Sequence, residues 1–78
     1  MRIRLYGRLG DTIGRETEVD AVDGCTVADI RRRLAAGHPA AAEALRRSRA
    51  CLAGAIIGDD RRLAVGDEIE FLPPVSGG

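Results

Sequence analysis

One stretch limits the fold more than any other: Thr26-Val27-Ala28-Asp29, which follows the turn Asp23-Gly24-Cys25 and opens a helical repeat. Thr26 fits an N-cap, and Asp29 can reach back as its capping-box partner and favour the positive helix end. Val27, Ile30 and Leu34 then fall at i, i+3 and i+7, one apolar stripe suited to lie across a sheet. Arg31, Arg32 and Arg33 spread over the remaining surface and read as a solvated face. Gly37 suits the left-handed position after the last turn, and Pro39 stops easy continuation. Ala40 to Arg49 favours helix by propensity, but its weak apolar face, Ala41 and Leu45, predicts a short or irregular one. Arg46 to Arg49 reads as a second solvated cluster.

The flanks carry the other period. Arg2-Ile3-Arg4-Leu5-Tyr6 alternates polar and apolar, a half-buried strand with Ile3 and Leu5 inward. Gly7, Gly10 and Gly14 punctuate a loop with Leu9 and Ile13 tucked beneath it, and Glu16 to Asp20 resumes the alternation. These two segments form an antiparallel hairpin. Ala50 to Ala53 and Ala55 to Ile57 are short apolar runs either side of Gly54, a strand, a turn and a brief strand. After a turn at Gly58-Asp59-Asp60, Leu63 and Val65 cover the bottom of the core. Gly66-Asp67 turns into Glu68-Ile69-Glu70-Phe71, with Ile69 and Phe71 on one side. Strand, strand, helix, then two or three strands predicts an α+β fold, a mixed sheet with one main helix packed across it. With the last strand parallel beside the first, this is the β-grasp, or ubiquitin-like, architecture, a single domain over residues 1–78 with a flexible tail at 73–78.

Composition removes several functions. Twelve basic and twelve acidic residues cancel, so the surface lacks the excess of positive charge that nucleic acid demands. All twelve basic residues are Arg, so no side chain can accept an isopeptide bond or form a Schiff base. Met1 to Leu5 lacks a signal-peptide run and no segment is long enough to span a membrane, so a cytoplasmic protein with no membrane partner is expected. Cys25 and Cys51 form no C-x-x-C pair, and with a lone His38 they make no zinc site; they read as buried thiols acting as small hydrophobes. His38 reads as the mark of a helix end. No triad, metal cluster or phosphate loop is present, so catalytic residues must come from partners.

What remains is the end of the sequence. Phe71-Leu72-Pro73-Pro74-Val75-Ser76-Gly77-Gly78 runs from an apolar strand through a stiff diproline into two residues without side chains. Gly77 and Gly78 remove every side-chain obstacle to threading through an enzyme channel. Pro73 and Pro74, with fixed φ, favour an extended chain held off the sheet. The four residues after Pro74 can reach about 13–14 Å. The Gly78 carboxylate is thereby the candidate functional group. Phe71 and Leu72, on opposite faces at the strand end, place an apolar side chain near the exit. With Pro73, Pro74, Val75, Leu5 and Tyr6 they are the candidate docking surface, although the Phe71 ring also reads as core.

These residues resemble the sulfur-carrier proteins of the MoaD/ThiS type over essentially the whole chain. Gly24-Cys25-Thr26-Val27-Ala28-Asp29 is similar to the family's Gly-x-Thr-Val-x-Asp helix start, and Val65-Gly66-Asp67-Glu68-Ile69 to its turn into the last strand. The diproline tail resembles that of the sulfur-carrying subunits of molybdopterin synthase. The chain departs from the pattern at Ala53, where the family often has Asn, and at Tyr6-Gly7, where it commonly has two bulky residues.

The resemblance implies a non-catalytic sulfur-donor subunit. The Gly78 carboxylate would be adenylated by a ubiquitin-activating-like adenylyltransferase that uses ATP, converted to a thiocarboxylate, and bound by a large subunit holding the catalytic residues in a heterotetramer. No resident cofactor or metal is implied. The same features fit a carrier for thiamine or cysteine synthesis, a ubiquitin-like modifier joined through Gly78 to target lysines, or an interaction module with an incidental tail.

Overall fold

The computed structural model describes residues 1–74. Five strands form one sheet: β1 (Arg2–Leu5), β2 (Glu16–Glu18), β3 (Arg49–Leu52), β4 (Ala55–Ile57) and β5 (Glu68–Leu72). Their order is β2-β1-β5-β3-β4, so β5 lies in the middle. β1 and β5 run parallel, with Ile3 opposite Ile69 and Leu5 opposite Phe71, and the other pairings are antiparallel. This is the β-grasp expected from the order of elements.

Helix α2 (Val27–Gly37) lies across the inner face and buries Val27, Ile30 and Leu34. Both halves of the capping box form: Asp29 N–H donates to Thr26 Oγ1 at 3.2 Å, and Thr26 N–H donates to Asp29 Oδ2 at 2.9 Å. Those bonds hold the Asp29 carboxyl below the usual carboxylate range, the backbone donor first. The stripe meets Ile3, Leu5, Ile69 and Phe71, which with Leu9, Leu45 and Leu63 make the centre of the core. Cys25 and Cys51 are free and buried. Among the described residues no helix is long and apolar enough to cross a membrane, and no cluster of His, Cys, Asp or Glu could hold a metal.

Four local expectations change. The glycine-punctuated segment after β1 is a short helix, α1 (Arg8–Ile13), with Leu9 buried beneath it. It can seat against β1 because a Cβ at Gly10 would lie 2.9 Å from the Leu5 carbonyl oxygen. Gly37 is still helical, and the helix ends at His38 (φ −139°, ψ 72°), whose N–H donates to Leu34 O at 2.9 Å. The stop is imposed by Pro39, which drives the preceding residue out of the helical region, and not by a left-handed glycine. Pro39–Ala41 then forms a 3₁₀ turn leading into α3 (Ala42–Arg47), the short irregular element anticipated from Ala41 and Leu45, both buried.

Val65 does not cover the core: it is 49% exposed, at the turn where its N–H donates to Asp23 Oδ1, and Leu63 alone is buried there. Arg31 is not on a solvated face. Only 14% of its side chain is exposed, and its guanidinium lies over the Phe71 ring at 5.1 Å.

Candidate functional site

Because β1 and β5 are parallel, their C-terminal ends reach the same edge of the sheet. β5 ends there at Leu72 and passes into Pro73 and Pro74, both exposed. The neighbouring strand is locked to this exit: Tyr6 N–H donates to the Phe71 carbonyl at 3.2 Å. The chain then swings from β1 into α1 at Gly7 (φ 63°, ψ −139°), a backbone region that only glycine occupies easily. A Cβ at Gly7 would sit 3.4 Å from both Cβ and Cγ of Pro73, so the first proline of the tail rests against the bare backbone of the bend. Beside this contact lies an open groove of about 660 Å³, bordered by Tyr6, Arg8, Glu43, Arg47, Pro73 and Pro74.

Strand alternation separates the candidate docking residues. Leu5 and Phe71 point inward and are 1% and 0% exposed, so neither side chain can take part in docking. The surface at the exit narrows to Tyr6, Leu72, Pro73 and Pro74, with Leu72 half-buried opposite Arg49. Val75, Gly77 and Gly78 lie outside the described residues.

The outer sheet face divides in two. On the β2–β1 side it is a lattice of opposite charges: Arg2 lies 3.8 Å from Glu16 and 3.7 Å from Glu18, and Arg4 lies 3.7 Å from Glu16 and 3.9 Å from Glu68. Such exposed pairs add little stability, but they leave that half nearly neutral. At the boundary, Tyr6 Oη donates to Glu70 Oε2 at 2.7 Å. That bond, with smaller contributions from partial burial and the Glu70 charge, raises the phenol above its ordinary range, against an opposing pull from Arg4.

Beyond Glu70 the outer face is mixed, with the apolar Cys51 and Ile56 beside exposed Arg49, which stands opposite Leu72. Cys51 stands opposite Glu70 on one side and Ile56 on the other, so Leu72, Cys51 and Ile56 share the outer face with Tyr6. Ile56 is 56% exposed. Ile56 and Gly7 are site features that the sequence reading missed. The alternation that sends Ile57 inward could have sent Ile56 outward, whereas nothing in the sequence tied Gly7 to Pro73.

A sequence model described as the ThiS family matches residues 3–78. No curated protein matches the chain. Among solved structures, the chain is similar to the small archaeal modifier protein 1 of Haloferax volcanii, with 26% identity, 95% of each chain covered and a TM-score of 0.80. It is also similar to the HVO 2177 protein of Haloferax volcanii, with 24% identity, 99% of this chain and 84% of that one covered, and a TM-score of 0.85. A third similarity is to the complex of subunits 1 and 2 of molybdopterin-converting factor from Helicobacter pylori, with 24% identity, coverages of 99% and 96%, and a TM-score of 0.66. At these last two identities the likeness is one of fold.

Proposed function

The chain belongs to the ThiS family of ubiquitin-like sulfur carriers, and on that premise we propose that it carries sulfur as a thiocarboxylate on Gly78, as the small subunit of a molybdopterin synthase. The observation that carries this reading is a family match running through residue 78, joined to a central strand that ends at Leu72 and continues as Pro73-Pro74-Val75-Ser76-Gly77-Gly78.

The chemistry follows from the group on offer. An ionised carboxylate is a poor electrophile at neutral pH. In the proposed cycle a carboxylate oxygen attacks the α-phosphorus of ATP on an activating enzyme, pyrophosphate leaves, and an acyl adenylate remains. Sulfide displaces AMP and leaves the thiocarboxylate; a persulfide does the same once a thiol has cleaved its S–S bond. The sulfur is then a stronger nucleophile than the oxygen it replaced, and it attacks the pterin precursor on the large subunit. Hydrolysis returns the carboxylate. The chain contributes presentation, with Pro73 resting against Gly7 and with Tyr6 and Leu72 flanking the exit. The Helicobacter pylori complex of subunits 1 and 2 supports a partner of the large-subunit kind.

A modifier role is the second reading, supported by the small archaeal modifier protein among the similar structures. A chain without lysine could donate its terminus through such a bond but offer no side-chain amine as acceptor.

Intact-mass spectrometry after incubation with ATP, an activating enzyme and a sulfur source tests the carrier reading. Exchange of one oxygen for sulfur at the C-terminus is expected, whereas ladders of lysine conjugates on other proteins would favour the modifier. Deletion of Gly78 is expected to leave folding intact and abolish transfer; unchanged pterin conversion after that deletion would overturn the carrier reading.

A further inference from the structure

Arg31 follows Val27 by one helical turn, yet its side chain runs inward between α2, α3 and the 58–60 turn. Nε donates to Asp59 Oδ1 at 3.0 Å, and Nη1 donates to Ser48 Oγ at 2.8 Å and to the carbonyl oxygen of Leu45. Ser48 is itself buried, and its hydroxyl donates to the same carbonyl at 2.7 Å. This carbonyl lies in the last turn of α3, where it also accepts Ser48 N–H at 3.2 Å and where the helix end attracts positive charge. The guanidinium carbon, Cζ, lies over the Phe71 ring, 5.1 Å from its centre. One side chain thus ties two helices and a turn to the last inward-facing residue before the diproline.

We propose that Arg31 is a positioning residue for the tail: it holds Phe71, and through Phe71 the end of β5, in the one orientation from which Pro73 leaves the sheet. The functional consequence rests on the sulfur-carrier reading; the positioning itself does not. The ion pair with Asp59 is half open to water and contributes little stability. Geometry is the larger contribution. A guanidinium donates to Ser48 and the α3 carbonyl from one nitrogen and to Asp59 from another while its carbon lies over the aromatic ring, a set of contacts that a single ammonium reproduces less well. Phe71 also carries the backbone carbonyl that receives Tyr6 N–H, so Arg31 holds the ring on the inner face while β1 holds the main chain within the sheet.

Phe71 is the single phenylalanine of the chain, so 4-fluorophenylalanine reports on this site alone. The wild type is expected to give one sharp ¹⁹F resonance, shifted and broadened in Arg31→Met. With the activating enzyme, Arg31→Met is expected to lower kcat for adenylation roughly tenfold or more, as misplaced reacting groups do, while KM for the carrier changes by no more than about twofold. Arg31→Lys keeps the charge without the planar face, and a partial loss, about threefold, is expected; it also serves if Arg31→Met does not fold. Ile30→Val loosens the core without touching the Arg31 contacts, and both its resonance and its kcat are expected to stay near wild type. An unchanged resonance in both Arg31 variants, or an equal fall in kcat in Ile30→Val, would overturn the proposal. If the wild type is not adenylated at all, the carrier reading fails while the fluorine resonance still decides whether Arg31 positions Phe71.

Discussion

Gly7 and Pro73 meet where the sheet gives way to the tail, and the Cβ that Gly7 lacks would stand 3.4 Å from the proline ring. Gly7→Ala therefore forces a side chain into a disfavoured backbone region, with the new methyl group directly against the Pro73 ring. A loss of about 1–3 kcal/mol is expected from the backbone alone, measured by urea unfolding. Activity of the folded fraction should fall as well, because the brace under Pro73 has moved.

Tyr6 is the only tyrosine, so its phenol can be followed by ultraviolet absorbance without interference. The bond to Glu70 favours the neutral phenol and raises its pKa. The contribution to stability is thus complete below the ordinary tyrosine range, about 10, and is lost as pH rises through the higher folded value. Glu70→Gln should bring the titration back down. An unchanged midpoint in that variant would show that the bond does not set it.

Ala53 and Gly54 both have positive φ, 51° and 83°, in the two-residue connection between β3 and β4. That is the signature of a type I′ hairpin turn, which prefers Asn at its first central position. Ala53→Asn should stabilise the fold by on the order of 0.5–1 kcal/mol, since a left-handed alanine costs about that much or more. For a domain of this size it should raise Tm by roughly 2–8 °C.

The start of α2 gives an acid-side counterpart. Thr26→Ala removes the hydroxyl that accepts from Asp29 N–H, and a loss of about 0.5–2 kcal/mol is expected by thermal or urea unfolding. The folded pKa of Asp29 is depressed, so its contribution is present at neutral pH and disappears only as pH falls below the ordinary aspartate range, about 3.9. Asp29→Asn should flatten that part of the stability–pH curve.

Ile56 provides the surface test. Ile56→Asp places a charge in the exposed outer-face sector on edge strand β4, opposite Cys51, without disturbing the buried core. Calorimetric titration against the large subunit should show weaker binding with Tm nearly unchanged; wild-type affinity would remove this sector from the docking surface.

The elements with a strong period are legible in the sequence alone. Thr26, Asp29, Val27, Ile30 and Leu34 announced their roles because capping and burial both act within one or two turns of helix. Ile3, Leu5, Ile69 and Phe71 did so because strand alternation is local too. Three kinds of fact were not legible. Arg31 looks like Arg32 and Arg33 in sequence, and only the arrival of α3 and Phe71, 14 and 40 positions away, turns it inward. Val65 sits in an alternating run but on a turn whose hydrogen bond to Asp23 holds it outside. The 7–14 segment reads as loop from its glycines, yet tertiary packing of Leu9 makes it helical. At the site, the diproline and the apolar strand end could be read directly, whereas the brace between Gly7 and Pro73 joins residues 66 positions apart.

The central place of β5 has a consequence for when the carrier becomes usable. The strand that leads to the tail comes last among the described elements, yet it fills the gap between β1 and β3. Until it inserts, Ile3 and Leu5 lack their partners, Phe71 is unburied, and the sheet consists of two separate hairpins. Its pairing with β1 joins the most distant parts of the chain, a slow kind of contact to form. A half-folded molecule would therefore have its terminus attached to an undocked strand, with no exit geometry for a channel to accept. On the proposed cycle folding would act as a proofreading step, because an activating enzyme that accepts only the braced exit would leave unfinished chains unloaded.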